Sequence, residues 1–243
     1  MSDLKGKTVI ITGASSGLGE STARHLVSLG ANVVLGARRE ERLSALADEL
    51  GDRAAWRVTD VTHREDLQSL AELALSKFGQ IDALVNNAGI MPVSPVAMAK
   101  VEEWDRMIDV NIKGVLYGVN AVLDHMLQRE DGTIINIASV AAHVVKPGGT
   151  VYSATKSAVR VISEGLRQEL TGKVRVCTIC PGATQSELTE SISVPEIREM
   201  ADQVMSVAMP AQSIADAVAY VLTQPASVAV NEIIVRPLVA QDH

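Results

Sequence analysis

The chain reads as an α/β protein: a single doubly wound parallel sheet of seven strands with helices on both faces. Three observations lead there. Short apolar runs alternate with helix-periodic segments along the whole chain. The runs carry apolar residues on both faces, as strands covered on both sides do. Of the 243 residues 47% are hydrophobic but only 2% aromatic, so the interior has to be aliphatic. No Pro/Gly/Ser linker, charge block or internal repeat marks a boundary, and residues 1–243 are expected to form one domain. A chain this long buries roughly three quarters of its unfolded surface and needs no staples.

Taken in order, the first strand is expected at 9–11, where Val9-Ile10-Ile11 lies between Lys7 and Gly13, with a helix over 20–29. The second strand, 32–36, precedes the helical pattern of 42–50, whose Leu43, Leu46, Ala47 and Leu50 share a face. The third, 54–58, precedes a helix over 63–78 carrying Leu67, Leu70, Leu73 and Ala74. The fourth, 81–85, leads through a segment with two prolines (91–100) into one long helix over 104–126. The fifth, 133–137, is followed by a helix over 151–170, and the sixth and seventh fall at 174–179 and 232–235. Sequential right-handed crossovers between such strands wind the sheet in both directions. Residues 187–210 are longer than a plain crossover. Extra loops at the carboxyl ends of parallel strands are where these sheets hold ligands, so this segment is expected to be a substrate lid.

Composition excludes several partners. Lys and Arg number 22 against 29 Asp and Glu, a net charge of -7 that leaves no basic face for nucleic acid. Six aromatic residues make no base-stacking surface. No run approaches the ~18 apolar residues of a membrane span, and the N-terminal residues lack a signal-peptide core. Two cysteines suit a reducing compartment, and a cytoplasmic protein is expected. Cys177 and Cys180 have the spacing of a redox or zinc pair, but on a strand residues three apart point to opposite faces, so both read as core thiols. The five histidines show no metal-ligand spacing, and no metal is expected.

The chemistry begins after the first strand, at Thr12-Gly13-Ala14-Ser15-Ser16-Gly17-Leu18-Gly19. Three glycines allow a tight turn and close backbone approach, and the helix that follows offers free N–H groups to a pyrophosphate. A glycine trio alone is also an ordinary strand–helix turn; its place inside a βαβ unit favours a dinucleotide. The spacing Gly-x-x-x-Gly-x-Gly resembles the coenzyme turn of the short-chain dehydrogenase/reductase family, and the resemblance extends over the whole chain. It implies a Rossmann-type domain in which Gly13, Ser15, Ser16, Gly17, Leu18 and Gly19 hold a nicotinamide dinucleotide.

Which dinucleotide is read at the end of the second strand. An NAD site wants a carboxylate there; this chain has Ala37-Arg38-Arg39. Two guanidinium groups without an acid suit a 2′-phosphate, so NADP(H) is expected, with Arg38 the main contact, Arg39 beside it and Ser15 helping. By resemblance, Asp60 and Val61 lie near the adenine, the Asn86–Gly89 motif (Asn87, Ala88 and Gly89 toward the coenzyme) on the adenosine side, and Pro181, Gly182, Thr184 and Ser186 beside the nicotinamide. The family often has Val where Thr184 stands and Thr where Ser186 stands.

Tyr152 and Lys156 lie four apart and share one helix face. A cation beside the phenol favours the phenolate, so Lys156 is expected to lower the Tyr152 pKa and fit it for proton transfer. Ser139, ending the fifth strand, can hydrogen-bond a carbonyl beneath Tyr152, and Asn111 can hold a water that passes a proton toward Lys156. The four residues in this order resemble the family's Asn–Ser–Tyr–Lys tetrad. The resemblance implies Tyr152 as general acid/base, Ser139 as the group orienting the carbonyl, Lys156 on the nicotinamide ribose and Asn111 in a proton relay.

The substrate pocket is expected between 91–96, 140–151 and the lid, with aliphatic walls of Met91, Val93, Val140, Val145, Val151 and Leu188 that favour a small or medium, neutral to weakly polar molecule. His143 follows Ser139 into that region. Asn231-Glu232-Ile233-Ile234-Val235-Arg236-Pro237 is similar to the ending of serine-type (3-hydroxy-acid) and clavulanic acid dehydrogenases, and Arg236 stands where it could meet a carboxylate. A homo-oligomer, a dimer of dimers, is implied by resemblance alone. Two other readings are a redox sensor without turnover, which would not need the tetrad, and a purely structural oligomer, which would not need the glycine turn. Within the enzyme class a 3-oxoacyl reductase is the alternative.

Overall fold

The computed structural model describes residues 4–240. Seven parallel strands, β1 (Thr8–Thr12), β2 (Asn32–Ala37), β3 (Ala54–Val58), β4 (Ala83–Asn86), β5 (Thr133–Ile137), β6 (Arg175–Pro181) and β7 (Glu232–Val235), form one sheet in the order β3-β2-β1-β4-β5-β6-β7. From β1 the chain winds outward to β3, then crosses back to β4 and winds the other way. The direction reverses between β1 and β4, and the crevice at their carboxyl ends is where such a sheet can take a ligand.

The helices are α1 (Gly17–Ser28), α2 (Glu40–Leu50), α3 (Arg64–Phe78), α4 (Val101–Ile108), α5 (Gly114–Arg129), α6 (Thr150–Glu169), α7 (Pro195–Met205) and α8 (Gln212–Leu222). Alternate residues of each strand serve opposite faces. Val9, Ile11, Val33, Leu35, Ile135 and Cys177 pack with Ala23 and Leu26 of α1, Leu43 of α2 and Ile214 of α8. Their neighbours Ile10, Val34, Leu84, Ile134 and Val176 pack with Leu70 of α3 and Val122 and Met126 of α5. Cys177 and Cys180 fall on opposite faces, as expected; both are free and buried, and burial pushes each thiol up to about 12.

Two elements differ from expectation. The first helix starts at Gly17 rather than residue 20, so Gly17 and Gly19 of the glycine turn lie in its first turn. The long helix over 104–126 is instead α4 and α5 joined by a π-helical segment, Asp109–Lys113. Such insertions gather at functional sites; here the wide turn turns the Asn111 side chain onto the Ile90 backbone, where Nδ2 donates to the carbonyl (3.0 Å) and Oδ1 accepts from the N–H (2.9 Å).

At the amino end of the sheet Asp82 ties three elements together. Its carboxylate accepts from the Thr8 N–H (2.8 Å), Lys7 (3.1 Å), Arg129 (3.1 Å) and Gln80 (2.8 Å). Burial works to raise this carboxyl, but the Thr8 N–H and the two cations outweigh it and hold it below the usual carboxylate range.

Candidate active site

The glycine turn is shaped by contacts only hydrogen allows. Gly13 has φ +66, and a Cβ there would come within 2.8 Å of Ala88 Cα. A Cβ on Gly19 would press on the Gly13 carbonyl and come within 2.6 Å of Asn87 Nδ2. Close backbone approach therefore draws β1's turn against the segment after β4, and Asn87 fastens it by donating to the carbonyls of Thr12 (2.9 Å) and Gly13 (3.2 Å). Thr12, not singled out from the sequence, completes the clamp: its hydroxyl accepts from the N–H groups of Asn87 and Ala88, each at 3.1 Å. Its place just before the glycines was the available signal. Asn86 turns into the sheet instead, donating to Asn136 (2.9 Å).

A cavity of about 670 Å³ opens along the carboxyl ends of the strands. Gly13, Ser15, Ser16, Gly17, Leu18, Arg38, Arg39, Asp60, Val61, Asn87, Ala88, Gly89, Pro181, Gly182, Thr184 and Ser186 all line it, as do Ser139, Tyr152 and Lys156. Gly19 stands behind the turn and Asn111 behind Gly89, so neither is among the lining residues. The turn, with no Cβ at Gly13 and Gly17 and with the amino end of α1 entering the cavity, fits a dinucleotide pyrophosphate.

The guanidinium that seats itself at the turn is Arg39 rather than Arg38. Arg39 caps α2, and its side chain folds back so that Nε donates to Ser15 Oγ (3.1 Å) and Nη2 to Ser16 Oγ (2.6 Å). Its Nη1 donates to Glu187 (2.6 Å), which also accepts from Arg42 Nη1 (2.6 Å). Those two guanidiniums hold the Glu187 carboxyl down at about 2. Arg38 lies toward Asp60: burial works to raise that carboxyl, but the backbone N–H and hydroxyl of Thr62 and the charge of Arg38 bring it below its ordinary value.

Tyr152 and Lys156 lie one turn apart on α6, with Lys156 Nζ 5.8 Å from the phenol ring centroid. Both are buried, at 6% and 5% exposure, and Ser139 from the end of β5 hydrogen-bonds the phenol. The expected lowering of the Tyr152 pKa by Lys156 is not realised. Burial pushes the phenol up to about 12, partly offset by the Ser139 hydrogen bond. The lysine is itself desolvated, which holds it down at about 8, and it donates to the Ile137 carbonyl (3.0 Å). Asn111, fully buried, also donates to Thr155 Oγ1 (3.1 Å) and so ties the π segment to α6. Gly89 separates Asn111 from Lys156: a Cβ on it would lie 3.4 Å from Asn111 Oδ1 and from Lys156 Nζ.

Of the expected pocket walls, Met91, Val93, Val140 and Leu188 line the cavity; Val145 and Val151 do not. Val145 points outward at 65% exposure, and Val144, Val110 and Val204 take the wall instead. His143 also leaves the pocket, pairing with Glu232 (3.4 Å), which accepts in addition from Arg160 (2.7 Å) and the Cys180 thiol (3.6 Å). These groups converge from β6, β7 and two loops or helices, so no sequence spacing announced them. Arg236 packs against Gly182 and is not a lining residue.

The family model described as short chain dehydrogenase matches residues 7–196. This chain belongs to the short-chain dehydrogenase/reductase family. As an oxidoreductase of this family it is 47% identical to an uncharacterized oxidoreductase of Staphylococcus saprophyticus, with 98% of each chain covered. It is 44% identical to one of Listeria innocua, over 96% of this chain and 97% of the relative. Among solved structures it resembles the closed form of a serine dehydrogenase complexed with NADP+, with 37% identity, 94% of each chain covered and a TM-score of 0.88. It also resembles a short-chain dehydrogenase/reductase from Burkholderia phymatum in complex with NAD, with 26% identity, 96% of this chain and 90% of that one covered, and a TM-score of 0.88. Its relatives thus bind either nicotinamide dinucleotide. Among the described residues no helix is long and apolar enough to cross a membrane.

Proposed function

We propose that this dehydrogenase/reductase is NADP(H)-dependent and interconverts a carbonyl and a secondary alcohol, with Tyr152 as general acid/base. The observation that carries the reading is the buried Tyr152–Ser139 pair, with Lys156 beside it, in the wall of the same cavity that the glycine turn lines. The nicotinamide, when bound, supplies or receives the hydride; orientation and proton transfer fall to this chain. A substrate oxygen between Tyr152 and Ser139 receives two hydrogen bonds, and the Tyr152 phenol gives its proton to that oxygen in reduction and takes it back in alcohol oxidation. The phenol is protonated at neutral pH and so carries the proton that carbonyl reduction needs; burial makes it a weaker acid than a free phenol, and the Ser139 hydrogen bond works against that. The nearby Lys156 ammonium makes the phenolate that follows less costly. Asn111 positions α6 by holding Thr155 and the Ile90 backbone together.

Arg38 and Arg39 both line the cavity at the end of β2; with them, Arg39's bonds to Ser15 and Ser16 support the preference for NADP(H), and Arg42 joins Arg39 on Glu187. Asp60, Val61, Asn87, Ala88 and Gly89 serve the adenosine half, and Pro181, Gly182, Thr184 and Ser186 the nicotinamide half. In this reading residues 1–243 are one catalytic domain with 187–210 as the lid. The aliphatic wall of Met91, Val93, Val140, Val144 and Leu188 supports a small or medium, weakly polar substrate. A cytoplasmic dimer of dimers belongs to the same reading, supported by exposed apolar residues on α5 (Leu116), α8 (Tyr220) and β7 (Ile234). The test is NADPH consumption over a panel of carbonyl compounds, together with Arg39→Ala. Loss of a charge-assisted pair is expected to lower the NADP+/NAD+ preference roughly tenfold or more; an unchanged preference refutes the coenzyme assignment.

A further inference from the structure

Glu187 has no part in the chemistry above, yet it lines the cavity and pairs with two guanidiniums. It immediately precedes the turn Leu188–Ser191 in the segment after β6, and its partners Arg39 and Arg42 stand at the start of α2. Each carboxylate oxygen takes one guanidinium N–H at 2.6 Å, one from Arg39 and one from Arg42. Arg39 is the group that also holds Ser15 and Ser16. Carboxylate and phosphate oxygens both accept charge-assisted hydrogen bonds from guanidinium N–H groups, and here each carboxylate oxygen takes one. The anion that Arg39 and Arg42 receive here is thus one the chain itself provides.

We propose that Glu187 is a specificity-determining residue for the coenzyme: its carboxylate takes the guanidinium donors that a 2′-phosphate requires, so NADP+ has to displace it and NAD+ does not. The inference rests on the assignment of Arg39 to the 2′-phosphate and adds a built-in competitor to it. Glu187 therefore narrows the margin by which NADP(H) is preferred. Ser186 lies against the glycine turn, where a Cβ on Gly17 would come within 3.1 Å of it, and Ser191 accepts from the Met91 N–H (2.9 Å), so the segment is fastened on both sides of the coenzyme cavity.

The test is titration of the full-length wild type, Glu187→Gln and Glu187→Ala with NADP+, NAD+, 2′,5′-ADP and 5′-ADP, followed by calorimetry. Two half-exposed ion pairs each resist separation by roughly two- to fivefold, so both variants should bind NADP+ and 2′,5′-ADP about fivefold tighter or more. NAD+ and 5′-ADP should change by less than twofold. A variant whose NADP+/NAD+ ratio stays at the wild-type value, or whose NADP+ binding weakens, overturns the proposal. The wild-type ratio and Arg39→Ala report separately on the coenzyme assignment. A wild type that prefers NAD+ refutes that assignment, while a shift toward NADP+ on removing Glu187 still identifies the competitor.

Discussion

Replacing Lys156 with methionine should stabilise the fold while removing activity. The amine is 5% exposed, and burial holds it down at about 8 against an ordinary 10.5, opposed only in part by the neighbouring Cys180. Keeping it charged at pH 7 therefore costs roughly 3 kcal/mol. Methionine fills a similar volume without that cost but leaves the Ile137 carbonyl without its donor, a loss of about 1 kcal/mol. The net gain is about 2 kcal/mol, or roughly 4–8 °C in melting temperature for a chain of this size. Thermal unfolding by circular dichroism at several pH values measures it. Between pH 8 and 10.5 the unfolded chain holds the Lys156 proton more tightly than the folded one, so wild-type stability gains from Lys156 as pH rises and the gap to the variant closes. Tyr152 acts in the other sense: its contribution is complete below pH 10 and lost as pH climbs through about 12, and it cancels between the two proteins. A variant that melts lower than wild type at pH 7, or a gap that does not narrow toward pH 10, refutes the reasoning.

Two further substitutions probe the frame of the site. Gly19→Ala drives a methyl against the Gly13 carbonyl and Asn87, whose hydrogen bonds to Thr12 and Gly13 fix the turn. Overpacking and a lost hydrogen bond together cost about 2–4 kcal/mol by urea denaturation, with coenzyme binding at least tenfold weaker; a variant matching wild type in both shows that the close approach is not needed. Asp82→Ala leaves the buried Thr8 N–H without its acceptor and removes one carboxylate from Arg129, which keeps the Ile81 carbonyl and Asp131, and costs about 3 kcal/mol at pH 7. Because the folded carboxyl titrates below the ordinary 3.8, its contribution is present above that value and fades as pH falls further. The difference in urea midpoint should therefore shrink by pH 3; a constant difference contradicts the ion-pair role.

The central strands, covered on both faces, leave a plain apolar signature, and the half-exposed edge strands β3 and β7 also lie within a few residues of where they were expected. The spacing of Tyr152 and Lys156 placed them on one helix face, and Ser139 meets the phenol; Asn111, joined to them only by the family resemblance, bonds Ile90 and Thr155 with Gly89 between it and Lys156. Burial is a property of the packed molecule, and it decides the Tyr152 phenol against the local pull of a lysine four residues on. The π segment at Asn111 was illegible for a similar reason: it depends on a hydrogen bond to Ile90, 21 residues away. Arg38 and Arg39 are equivalent as letters, and only the direction in which the chain enters α2 turns Arg39 back onto Ser15. Glu187 meets it from 148 residues farther along.

The most direct test of the proton-transfer role is Tyr152→Phe. The phenol is buried with Ser139 as its hydrogen-bond partner, so removing its oxygen leaves the coenzyme cavity intact. With a carbonyl substrate found in the NADPH panel, the turnover number should fall at least ~100-fold, the range of a positioned general acid. Coenzyme affinity should stay within about twofold of wild type. Turnover at the wild-type level contradicts Tyr152 as the acid.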